Sequence, residues 1–208
     1  MTMQSQNNVL LEGLPLAEPE FSHENHHTKF YRFYMDIPRL SGQSDHVPVL
    51  LPEALSAQIH PGEPLRVRGQ MRSFNNRSGS GSRLVLTVYA LELLPPQGTF
   101  CNQILLSGAL CKAPVLRRTP LGRSICDLML AVTRRYGRSD YLPVIAWGQL
   151  ASACSTYDVG DTLCLEGRIQ SRTYRKILDD HAEIRVAYEV SMLRFIPPEN
   201  LSADSSEK

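Results

Sequence analysis

The chain of 208 residues lacks any apolar run long enough for a membrane-spanning helix. Its first residues, Met-Thr-Met-Gln-Ser-Gln-Asn-Asn, carry neither the basic nor the apolar region of a secretory signal, so a cytoplasmic protein is expected. Cysteine is scarce and odd in number: Cys101, Cys111, Cys126, Cys154 and Cys164 contain no C-x-x-C pair. Most lie in apolar runs, which suits small buried hydrophobes in a reducing compartment rather than a disulfide frame or a zinc site. His23, His26 and His27 stand in a polar stretch without a fourth ligand at a recognised spacing, so no metal is expected there. No phosphate-cradling Gly-rich loop with Lys-Ser/Thr, no His-rich zinc helix, no G-x-S-x-G and no paired-metal acidic cluster occurs. An enzyme is therefore not expected, and no cofactor. Tryptophan is nearly absent too: Trp147 stands alone.

Hydrophobic residues make up 42% of the chain, ample for a core, while 14 Pro and 13 Gly favour many short elements over long helices. The net charge of +1 conceals an uneven spread. Residues 1–100 hold 8 Lys+Arg against 9 Asp+Glu, residues 101–196 hold 13 against 9, and residues 197–208 hold 1 against 3. The second half is basic and the end mildly acidic.

The chain repeats itself. Asn7-Asn8-Val9-Leu10-Leu11-Glu12-Gly13 returns 95 residues later as Asn102-Gln103-Ile104-Leu105-Leu106-Ser107-Gly108. The same offset carries Pro19 onto Pro114 and Ser44-Asp45-His46-Val47-Pro48-Val49 onto Ser139-Asp140-Tyr141-Leu142-Pro143-Val144. After a three-residue shift, Gly62 matches Gly160, Gly69 matches Gly167, and Met71-Arg72-Ser73 matches Ile169-Gln170-Ser171. A period this long indicates a duplicated domain rather than a solenoid unit.

Each copy reads as β-rich. In the second, strands are expected at 102–111, 125–132, 141–146, 162–171 and 184–195, with one short helix at 149–154 between the third and fourth. In the first, strands are expected at 9–16, 30–37, 47–51, 65–74 and 84–94, with a helix at 53–59. Five short strands with a helix between the third and fourth is the order of a five-stranded Greek-key barrel of OB type. The expected fold is thus all-β with short helices, two tandem OB barrels: residues 1–94, a Pro-Pro-stiffened linker at 95–101, residues 102–196, and a flexible tail at 197–208. Gly108 and Gly167 fall inside strands, where closing a small barrel needs bulges and bends.

The second copy resembles the bacterial single-stranded DNA-binding protein family along nearly its full length. The resemblance rests on 102–110, on Pro114-Val115-Leu116-Arg117, on Thr119-Pro120-Leu121-Gly122, on Leu130-Ala131-Val132, on 143–151, on Gly160-Asp161 and on 165–172. The first copy resembles the family only through its equivalence to the second. The resemblance implies OB barrels assembled several to a unit and sequence-tolerant wrapping of single-stranded DNA. Four places where family members stack bases are aromatic here: Tyr136, Tyr141, Trp147 and Tyr174. The end of the chain departs from the family, lacking the apolar tip that recruits partners.

Aromatic rings stack on any base, and Arg and Lys supply a salt-sensitive phosphate attraction. The second copy interleaves the two in Arg134-Arg135-Tyr136-Gly137-Arg138 and in Arg172-Thr173-Tyr174-Arg175-Lys176, with Arg117 and Arg118 on the loop after its first strand. The candidate nucleic-acid-binding set is Arg117, Arg118, Arg134, Arg135, Tyr136, Tyr141, Trp147, Arg172, Tyr174 and Arg175. Trp147 follows an apolar run, as a core residue also would, and Arg117, Arg134 and Arg172 fit plain surface charge as well. The first copy lacks this platform: Tyr136, Tyr141, Trp147 and Tyr174 become Ser41, His46, Pro52 and Asn76. Its own aromatic run, Phe30 to Tyr34, sits in a strand and reads as core plus one outward face. An architectural first barrel follows, with two chains presenting four barrels as a homodimer. The expected function is single-stranded DNA binding and protection in replication, recombination or repair, near the nucleoid. RNA binding is compatible with the same chemistry. The alternative is a primosome-type accessory barrel protein acting through protein contacts.

Overall fold

The computed structural model describes residues 6–76, 83–134, 137–177 and 182–197. Its strands and helices, in chain order, are β1 (Gln6–Pro15), β2 (Glu20–Asn25), β3 (Thr28–Pro38), β4 (Ser44–Pro52), α1 (Glu53–Ser56), β5 (Leu65–Asn75), β6 (Leu84–Leu94), β7 (Cys101–Leu110), β8 (Val115–Arg118), β9 (Ser124–Thr133), β10 (Ser139–Trp147), α2 (Gln149–Cys154), β11 (Thr162–Ile177) and β12 (Ala182–Phe195). No helix among the described residues is long and apolar enough to cross a membrane.

Two compact units result. One comprises Val9–Asn102 with Ile169–Tyr188, and the other Gln103–Arg168 with residues 6–8 and 189–197. We call them the N-terminal and C-terminal units. In the N-terminal unit the strands lie in the order β2-β3-β4-β6-β5-β1, and β1 also pairs with β3. In the C-terminal unit the order is β7-β11-β12-β10-β9-β8, and β7 also pairs with β9. With β2 and β8 set aside as outer strands, each is a closed five-stranded Greek key, the OB barrel expected from the repeat.

Closure explains the repeated glycines. Strand β1 pairs with β5 from Val9 to Gly13 and turns to β3 from Leu14. Its counterpart β7 pairs with β11 as far as Ala109 and meets β9 at Ala109 and Leu110. One strand thus serves two neighbours, and at the changeover the backbones approach closely. A Cβ on Gly108 would lie 2.8 Å from the Ala131 carbonyl oxygen, and one on Gly167 2.7 Å from that of Ser191. Such contacts leave room for hydrogen alone.

Alternation along the strands builds most of each core. Phe33, Met35, Val47, Val49 and Leu51 point inward from β3 and β4, and Cys126, Leu128, Leu130, Leu142, Val144 and Ala146 from β9 and β10. Strands β2 and β8 fall where loops are expected from the sequence. Every residue of both is exposed, so they carry no hydrophobic alternation, and only pairing with β3 and β9 reveals them. The hairpin of β11 and β12 is also longer than expected, with Arg172 to Arg175 in the strand. Its outer part, Ile169–Tyr188, is grouped with the N-terminal unit, whereas the sequence places it in residues 102–196.

The linker is fastened as well as stiffened. The buried Glu12 carboxylate accepts the backbone N–H groups of Gln97, Gly98 and Thr99 at 2.8, 2.7 and 3.2 Å, and Arg66 lies 3.6 Å from its other oxygen. Gly98, at φ +77°, lets three successive amides converge on one anion. Glu12 is where the second copy has Ser107, so this fastening belongs to one copy alone.

All five cysteines are free thiols. Burial pushes the Cys154 thiol up to about 11, aided by Cys126, and burial likewise raises Cys126 itself. The native state holds these protons more tightly than the unfolded chain, so stability falls as pH rises from about 9 toward 11. At pH 8 an aromatic disulfide reagent should modify the half-buried Cys101 and Cys111 well before Cys126 or Cys154. Mass mapping of the modified peptides checks this, and early labelling of Cys154 would contradict it.

Candidate nucleic-acid interface

Strand β10 carries Tyr141, Pro143, Ile145 and Trp147 on the side opposite Leu142, Val144 and Ala146. The latter three are in the core; Tyr141 is 50% and Trp147 38% exposed. Trp147 is therefore not a core side chain, because a core indole would be covered. Six residues of strand separate the two rings by roughly 20 Å.

The register extends the face. Trp147 lies opposite Ile125 and Ile125 opposite Arg117, so indole, isoleucine and guanidinium form one row across three strands. Ile145, Asp127 and Val115 form the next. Ile125 and Ile145 are 2% and 5% exposed and make an apolar floor. Arg117 donates to both oxygens of Asp127, at 2.5 and 3.1 Å. That fork raises the guanidinium's already high pKa, with Asp127 and Glu189 adding attraction. The Arg117 charge is thus offset by a carboxylate on the same face. Asp127→Asn should release it, tightening oligo-dT binding about threefold and steepening the salt dependence by ~0.7 for one added phosphate contact. Titration at several salt concentrations measures both, and weaker binding would contradict it.

The other candidates do not all converge here. Arg118, one residue on from Arg117, points to the opposite side of β8. Arg134 is half-buried and donates through Nε to Asp140 at 2.6 Å and through Nη2 to its second oxygen. Asp140 is fully buried, so this guanidinium anchors the start of β10. Arg135 and Tyr136 lie outside the described residues. Arg172 stands over the Tyr174 ring at 5.5 Å, and Arg175 is exposed beside them, all three within the N-terminal unit.

The N-terminal unit carries aromatics of its own on an outward face. Phe33 is buried, while Tyr34 is 40% exposed, with Arg32 5.8 Å from its ring centroid. His23 stacks on Phe30 at 5.1 Å, and Tyr89 lies 6.2 Å from Phe30. Burial pushes the Tyr188 phenol up to about 12, Tyr34 adding to the shift and Arg32 opposing it. Of these, Phe30, Arg32 and Tyr34 lie on β3, where the second copy has Ile125, Asp127 and Met129. The Phe30–Tyr34 run thus has the core side and the outward face expected of it, with Phe33 inside and Arg32 and Tyr34 outside, whereas the positions equivalent to Tyr141 and Trp147 carry no aromatic. At those positions His46 is held 3.2 Å from Asp36 and Pro52 ends β4.

The model of the "Single-strand binding protein family" matches residues 101–194. The C-terminal copy belongs to that family. Among curated relatives, single-stranded DNA-binding protein 2 of Streptococcus agalactiae serotype V is 29% identical over 82 residues, 36% of this chain and 63% of that protein. The single-stranded DNA-binding protein of Thermus aquaticus is 36% identical over 102 residues, 47% of this chain and 38% of that protein. The chain thus spans less than two thirds of the length of each of these two relatives. The crystal structure of the wild-type Thermus aquaticus single-stranded DNA binding protein superposes with a TM-score of 0.73 at 25% identity, covering 93% of each chain. A deletion mutant of that protein gives 0.71 at 26% identity over 94% of this chain and 98% of the other. The likeness therefore embraces the first barrel, which the family model leaves out. The family model thus accounts for the C-terminal copy, and the Thermus aquaticus structures are similar to both barrels of this chain.

Proposed function

We propose that the protein binds single-stranded DNA with little sequence preference and shields it during replication, recombination or repair. The observation that carries this reading is the outward, exposed placement of Trp147 and Tyr141 on β10, in the copy that matches the single-strand binding family. Two rings on an open strand face can stack on any base, and the neighbouring arginines attract phosphate. The chemistry asked of the site is binding alone, in the cytoplasm and at the nucleoid. Two chains, each with two barrels, form the working unit, and sedimentation at about twice the chain mass of 23.3 kDa tests that assembly. Likeness over 93% of the chain to a two-barrel single-stranded DNA binding protein supports this reading over a primosome-type accessory role.

Because Trp147 is the only tryptophan, its fluorescence reports the site directly. Titration with oligo-dT should quench it, less at higher salt and not at all with duplex DNA; oligo-U in parallel measures the preference between sugars. Failure to bind oligo-dT at low salt, by fluorescence and by anisotropy of a labelled strand, refutes the proposal.

A further inference from the structure

The outer part of the β11–β12 hairpin, Ile169–Tyr188, carries Arg172, Tyr174 and Arg175. It forms part of the N-terminal unit, and three contacts within that unit hold it. The side-chain amide of Asn102 accepts from Ile169 N–H at 2.8 Å and donates to Ile169 C=O at 2.7 Å, as a paired strand residue would. The Ser171 backbone N–H donates to Asp45 Oδ1 at 3.2 Å. Ile169 and Tyr188 line a small apolar pocket with Val47, Met71 and Val88.

Asp45 differs from the other two anchors. Its side chain is 1% exposed, and Arg39 grips it through Nε at 2.6 Å and through Nη2. Holding both oxygens in the plane of a guanidinium leaves little rotational freedom, so the direction in which Oδ1 accepts is set before Ser171 arrives. The hydrogen bond falls one residue before Arg172 and three before Tyr174. Alternation along the strand then settles which side the Arg172–Tyr174 pair presents.

We infer that Asp45, locked by Arg39, is a positioning residue through which the first barrel mounts the β11–β12 hairpin for contact with a nucleic-acid strand. The barrel that lacks the β10 platform contributes by orienting another one. This rests on the single-stranded DNA reading above.

The test uses the full chain. Truncating Asp45 alone would strand the Arg39 charge, so the main variant is the double replacement Arg39→Met/Asp45→Leu, which removes both charges at once. Asp45→Asn, which keeps an acceptor for Ser171, is the conservative partner. Amide exchange at Ser171 should quicken at least tenfold in the double variant and within about threefold of wild type in Asp45→Asn. Oligo-dT affinity should fall about three- to tenfold in the double variant, and its salt dependence should become shallower by ~0.7 for each of Arg172 and Arg175 that loses a phosphate. A purely structural role would leave that slope unchanged. Unchanged exchange in a folded double variant overturns the mount, and faster exchange with unaltered affinity and slope overturns the positioning role. If the double variant does not fold, Arg39→Gln/Asp45→Ala, a smaller change that also removes both charges and the Ser171 acceptor, is read in the same way. Wild-type protein that does not bind oligo-dT refutes the function, while the exchange measurement still decides whether Asp45 holds the hairpin.

Discussion

Replacing Trp147 with alanine is expected to weaken oligo-dT binding by ~1–3 kcal/mol, roughly five- to 150-fold, the usual value of one base–aromatic stack. The variant loses the fluorescent reporter, so anisotropy of a labelled oligonucleotide is the measurement. The fold should be little affected, because the indole is 38% exposed and the strand's core residues are Leu142, Val144 and Ala146. Trp147→Phe should retain most of the affinity, since a ring remains to stack. Tyr141→Ala should show a smaller loss at the other end of β10. A folded Trp147→Ala protein with wild-type affinity would move the interface away from this face.

A second large effect concerns stability. Arg134→Ala is expected to cost about 3 kcal/mol of folding free energy, the low end for breaking a buried ion pair, because Arg134 retains some solvent access. The cost arises from the partner left behind, as Asp140 has 0% side-chain exposure and loses the two-point contact of the Arg134 guanidinium that offsets its charge. For a chain of this size the midpoint should fall by ~6–12 °C. Oligo-dT affinity of the folded fraction at 25 °C should stay within about twofold. A large loss of affinity with an unchanged melting temperature would instead make Arg134 a phosphate contact. The repeat supports the structural role: Arg39 and Asp45, 95 residues earlier, form the same fork in the copy without the β10 platform.

Much of the architecture was readable because its causes are local. Gly13 and Gly108 recur where one strand must serve two neighbours, the buried alternation in Phe33-Met35-Ile37 and Leu142-Val144-Ala146 declares an inner face, and the 95-residue offset exposes the duplication. Strands β2 and β8 were not readable. An exposed outer strand has no inward side to mark with apolar residues, and its hydrogen bonds are made to a neighbour rather than within itself.

The interface divides along the same line. The sequence by itself determined which side-chain types are available and that residues an even number apart along the strand from Tyr141 share one side, while the structure carried that strand on to Trp147. Only the tertiary structure decided which side that is, which charges are already taken, and where the hairpin belongs. Arg117, Arg134 and Arg172 look alike in the sequence, yet one faces the Trp147 row in the grip of Asp127, one is committed to buried Asp140, and one lies in the N-terminal unit. A guanidinium's role depends on the carboxylates folding brings within reach, here 10 residues away for Arg117 and 6 for Arg134, and on how much water remains around the pair. Neither quantity is a property of the residue or of its neighbours in the chain.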